Sequence, residues 1–121
     1  MAHANLHMAV GLAVGTALTL LPVARAVVAG RPLARPVGRL LLAGYAVGIW
    51  ALVPNLLTSA GAPASIHHAW WSNVFVLHAA IDHRKDGGLL IGELLLVAGF
   101  VFQYVLVIFA IVRARRRANG S

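Results

Sequence analysis

The sequence predicts an all-α, polytopic membrane helical bundle, and three observations lead there. Of 121 residues, 60% are hydrophobic and 11% are charged, against about a quarter charged in an average soluble domain. A soluble domain this short buries only about 60–70% of the surface its unfolded chain exposes, too little to hide so much apolar area. The apolar residues also fall into runs of the length that crosses a bilayer, about 20 residues at 1.5 Å rise each.

Three transmembrane helices are expected, over residues 5–24, 40–60 and 89–112. The first two contain no charge, and the third contains one acid, Glu93. The first lacks the basic start of a signal peptide and is long for the apolar core of one. Pro22 and Pro54 lie near segment ends, where lipid-embedded helices tolerate a kink. Gly11 and Gly15 form a GxxxG pair, as do Gly44 and Gly48, which favours close helix contact. A basic tail, 113–121, closes a single membrane domain that spans 1–121.

Residues 66–83 read IHHAWWSNVFVLHAAIDH. Four histidines, an asparagine and an aspartate interrupt this segment, so it predicts a short polar helix. Ser65 stands as its N-cap, and Asp86-Gly87-Gly88 closes it as a turn. It is either an interfacial or re-entrant helix or a fourth transmembrane helix.

The cations favour the first alternative. Arg25, Arg31, Arg35 and Arg39 sit between the first two spans, and Arg113, Arg115, Arg116 and Arg117 follow the last. The positive-inside rule places both clusters in the cytoplasm, which requires an even number of crossings between them. Two long spans supply that number, so 66–83 stays at the outer surface. The chain is then a multi-pass protein of the cell inner membrane, N-terminus outside and C-terminus cytoplasmic. The net charge of +7 flanks apolar runs, so it points to anionic membrane lipid and not to nucleic acid.

This topology puts all six histidines and all three acids on the outer side. Ionisable groups at membrane depth are costly and usually face protein or a watery cavity. His78 and Asp82 are four apart and share a helix face. With His7 and His67 they form an imidazole and carboxylate set that suits zinc, iron or manganese. Glu93 is the candidate catalytic general base, acting on water whose pKa a metal lowers. Each residue also has a plainer reading. His67, His68 and His83 can be interfacial side chains, His78 and Asp82 a helix-surface pair, and Glu93 a partner for Arg84 or Lys85. Trp50, Trp70, Trp71, Tyr45 and Tyr104 suit interfacial belts and helix contacts. With no cysteine there is no disulfide, thiolate site or cysteine nucleophile. Ser59, Ser65 and Ser72 lack a nucleophile signature. A haem between His7 and His78 is disfavoured, since it wants deeper histidines.

Short motifs add a resemblance. A histidine opens the first span in LHMAVGLAVG, LVPNLL closes the second, and HHAWW and AAIDHRKDGG follow. This layout resembles small inner-membrane proteins of the membrane-bound metal-dependent hydrolase family. The resemblance carries over His7, Asn55, and His67 or His68, with Asp82 joining them. It implies metal-dependent hydrolysis, and the extracytoplasmic His/Asp/Glu pocket makes a lipid-linked or headgroup substrate the expected target. The family's proline-aspartate step reads Pro54-Asn55 here, without the carboxylate. The opposing expectation is a non-catalytic accessory subunit, held by partner subunits of a membrane complex. Small size and small-residue helix faces favour it.

Overall fold

The computed structural model describes residues 4–75 and 88–120, all helix, turn or loop with no strand among them. Four α-helices appear there: α1 (Ala4–Val28), α2 (Ala34–Ala51), α3 (Val53–Ser59) and α4 (Gly88–Ala118). Two of them, Ala4–Val28 and Ile91–Ala118 within α4, are long and apolar enough to cross a membrane. The α2–α3 pair is long and apolar enough only when its two pieces are counted together across a 44° bend.

The bend has a local cause. Pro54 stands at the start of α3. It has no N–H to donate, and its ring clashes with the carbonyl four residues earlier, at Trp50. The expected second span, 40–60, is therefore two helices meeting at Leu52. Its first piece also starts earlier than the apolar run, at Ala34, so Arg35 and Arg39 are helical.

Two glycines stop helices in the same way. Gly30 has φ of 66° and Gly61 has φ of 99°, a region open mainly to glycine. After α1, Arg31 N–H donates to Ala26 O at 2.8 Å and Gly30 N–H to Val27 O at 3.2 Å. After α3, Ala62 N–H donates to Leu57 O and Gly61 N–H to Thr58 O, both at 3.0 Å. Both ends are Schellman motifs, which satisfy carbonyls that the helix leaves open.

α1 and α2 run antiparallel and touch backbone to backbone. A Cβ on Gly11 would stand 2.7 Å from Gly48 Cα, and one on Gly15 would stand 2.8 Å from Gly44 Cα. The GxxxG pairs thus face each other, as small residues do where membrane helices approach closely. α4 runs parallel to α1. Gly92 lies against Leu6, Gly99 against Leu12, and Arg113 against Val27. Val23, Ala26, Leu33, Val37 and Leu40 form an apolar cluster, on which Leu106, Val107 and Ala110 of α4 pack.

Both arginine clusters consequently lie at one end of the molecule. The N-terminus of α1, the α2–α3 bend and the start of α4 lie at the other. The chain leaves α3 and begins α4 at that same end.

Residues 64–75 differ from the continuous helix expected from Ile66. They form two short 3₁₀ helices, Ala64–His68 and Trp70–Val74, broken at extended Ala69. Ser65 lies inside the first, and Pro63 is its N-cap. The α-helical periodicity expected from Ile66 therefore does not form over 66–75. Residues 76–83, the rest of that expected helix, lie outside the described residues.

Gly15→Ala would press a methyl group into the Ala43 carbonyl and Gly44, so it should cost about 1–3 kcal/mol. At Gly38 the same change meets nothing within 4 Å and should be neutral or stabilising by up to about 1 kcal/mol. Unfolding of both variants in mixed micelles checks the contrast.

Candidate functional site

Buried polar side chains mark three levels of the molecule. At the end opposite the arginines, His7 is fully buried, at 0% exposure. It lies one and two turns before Gly11 and Gly15, on the α1 stripe that faces α2. Continuing that antiparallel register sets His7 opposite Leu52, beside the bend. Pro54 is also buried there. The Asn55 amide nitrogen is buried with no hydrogen-bond partner among the described residues. Thr58 Oγ1 lies 2.9 Å from Asn55 O and 3.1 Å from His67 Nε2. A threonine hydroxyl has one proton. When that proton goes to Asn55 O, His67 Nε2–H donates to Thr58 and the lone pair of the neutral ring sits on Nδ1.

The 3₁₀ segment is tied down beside this site. Trp50 Nε1 donates to Val74 O at 3.1 Å, and the Trp50 and Phe75 rings lie 5.0 Å apart. Ser72 is fully buried, and its hydroxyl donates to Ala69 O at 2.7 Å. Trp70 remains exposed at 82%, as an amphipathic interfacial anchor would.

At mid-depth, Gln103 of α4 is 1% exposed. Its Nε2 donates to Thr16 Oγ1 of α1 at 3.1 Å, and a Cβ on Gly44 of α2 would stand 2.5 Å from that nitrogen. One polar pair therefore sits where three helices meet, and the missing side chain at Gly44 makes room for it. At the arginine end, Arg113 Nη2 donates to Val27 O at 2.7 Å. A cation at a helix C-terminus also complements the dipole of α1.

The expected site residues are distributed as follows. His7 and His67 lie at the expected end. Glu93 lies at that end too, but it is exposed on α4 and makes no hydrogen bond or ion pair among the described residues. Gly92, beside it, faces Leu6, so Glu93 points about 100° away from that contact. His78 and Asp82 lie outside the described residues. Among those described, no three His, Asp or Glu side chains stand close enough to hold a metal ion.

Gln103 and Thr16 were not singled out by the sequence reading. The signal was present, because Gln103 is an uncharged polar residue in the middle of an apolar run, and such residues usually face protein. No known protein-family model matches this chain, and no similar protein was found among curated proteins or solved structures.

Thr16→Val and Gln103→Leu should each lower stability in micelles by about 0.6 kcal/mol, and at most about 1.7 kcal/mol, the range of interhelical hydrogen bonds in lipid. The double variant should cost less than the two single losses combined, because one bond is removed in both.

Proposed function

We propose that this chain is a non-catalytic subunit of a membrane complex. In this reading it is a three-span helical bundle of the cell inner membrane, N-terminus outside and C-terminus cytoplasmic. The joint position of both arginine clusters supports that orientation, as does the start of α4 at the end where α3 finishes.

The observation that carries the subunit reading is Glu93. It lies five residues, roughly 8 Å, inside α4. Leu94, Leu95 and Val97 beside it are all exposed. A carboxylate in such a span faces protein or water and not lipid. None of the described helices covers it; Arg84 and Lys85 lie outside the described residues, and in this reading a partner helix bearing a cation or hydrogen-bond donor is its neighbour. α4 has the surface for one. Its most apolar window is 11% buried, against 39% for α1.

A second reading keeps a metal-dependent hydrolase site. Its support is the full burial of His7 at the end that also holds His67. His78 and Asp82 would have to complete the ligand set, with zinc, iron or manganese as the metal and a lipid-linked substrate. The bond between His67 Nε2 and Thr58 would leave Nδ1 as the His67 nitrogen facing a metal.

One preparation separates the two. Mild-detergent purification of the full chain should yield a second membrane polypeptide in fixed ratio. Glu93→Lys should lose it while the helix content is retained. A lone chain without partner in the wild type overturns the subunit reading. Stoichiometric metal in the wild type, lost in His7→Ala and His78→Ala, would establish the second reading instead.

A further inference from the structure

Arg31, Arg113 and Arg117 converge on one pocket. The turn between α1 and α2 supplies Arg31, Pro32, Leu33 and Ala34, while Arg113 and Arg117 come from one stripe of α4 together with Ala110 and Ala114. The pocket holds about 250 Å³. That is below the roughly 300–1,000 Å³ of sites for drug-sized ligands, so it suits a small group.

Its chemistry is one-sided. Three arginines line it and no acid does. Arg113 uses Nη2 on Val27 O, which ties its guanidinium to the end of α1. The side chains of Arg31 and Arg117 make no hydrogen bond or ion pair among the described residues. Arg117 reaches back from α4 to the turn, where its Nη2 lies 3.0 Å from the place a Gly30 Cβ would occupy. The first turn of α2, which opens beside the pocket, has neither an acidic residue nor a side-chain cap. Pro36 has no N–H and Val37 N–H donates to Leu33 O, so the N–H groups of Ala34 and Arg35 are what this turn adds to the positive field.

Planar guanidinium forks match phosphate oxygens in pairs. The other wall is apolar, formed by Leu33, Ala110 and Ala114. The pocket stands where the apolar part of α4 gives way to Arg113, at headgroup level. A group with a phosphate at one end and hydrocarbon beside it fits both walls. We infer that this pocket binds the phosphate of an anionic phospholipid headgroup, and that Arg31 and Arg117 clamp it across the α1–α2 turn and α4. This gives the two residues a role beyond orienting the chain, and it is independent of the subunit reading.

The test uses the full chain in nanodiscs of phosphatidylcholine with a minor fraction of phosphatidic acid. Native mass spectrometry reads the lipid retained after release. Wild type should keep phosphatidic acid in preference to phosphatidylcholine. Arg31→Gln with Arg117→Gln should weaken that retention by about tenfold or more, the effect of losing charge-assisted bonds. Arg113 is left in place so that α1 and α4 stay tied. Arg35→Gln with Arg39→Gln removes the same charge outside the pocket and should leave retention unchanged. Equal loss in both double variants means a diffuse surface charge and overturns the site. Displacement of phosphatidic acid by inorganic phosphate at similar concentration assigns the pocket to a free anion and overturns the lipid source.

Discussion

The close approach of α1 and α2 is the constraint on which the remaining structure depends. Gly11 and Gly15 stand against Gly48 and Gly44 with no side chain between them. In lipid, helices gain nothing from leaving the solvent, so van der Waals contact and interhelical hydrogen bonds must hold them. Four glycines bring the two backbones close enough for that contact. They also fix the antiparallel register, and α4 reads its position from the result. Gly44 leaves the space that Gln103 fills, and Leu12 meets Gly99 one helix over. A side chain at Gly44 would remove the room for the buried amide.

The polar groups follow from the same arrangement. Gln103 to Thr16 and Arg113 to Val27 O both link α4 to α1. The first works at mid-depth and the second at the arginine end. Together with the apolar cluster around Leu40, they make α4 parallel to α1 and bring the tail arginines beside the α1–α2 turn. Only because of that are Arg31 and Arg117 neighbours, 86 positions apart in sequence. At the other end, Thr58 and Trp50 hold the 3₁₀ segment against the bend. Polar residues thus fasten each end and the middle, and Glu93 stands apart from all of them.

Much of this was legible in the sequence. Apolar run length identifies α1 and α4 because lipid imposes it, and the glycine spacing at 11, 15, 44 and 48 marks the contact itself. The break at Leu52 was harder. Pro54 in an apolar run reads equally as a tolerated kink or as a helix start, and only the bend angle decides. The segment after Gly61 misleads for another reason. Its helical spacing of His67, Trp71 and Val74 competes with Trp50 bonding to Val74 O, and that tertiary bond goes with 3₁₀ turns instead. Of the candidate site, the end of the molecule that holds His7 and His67 was legible from the arginines. The neighbours of Glu93 were not, because one residue of rotation about α4 separates a pocket-facing carboxylate from an exposed one. Gln103 carries a readable signal, an uncharged polar side chain within an apolar run.

Both arginine clusters lie at one end of the molecule and the α3 end lies at the other, so in a membrane the two ends should face opposite sides. The chain has no cysteine, so single cysteines report position without background. Arg35→Cys, Ser59→Cys and Asn119→Cys can each be challenged in intact cells with a membrane-impermeant maleimide. Labelling at position 59, with 35 and 119 reacting only after the membrane is opened, is the predicted result. Labelling at 119 together with 59 in intact cells would contradict it, because α1 and α4 would then run in opposite directions.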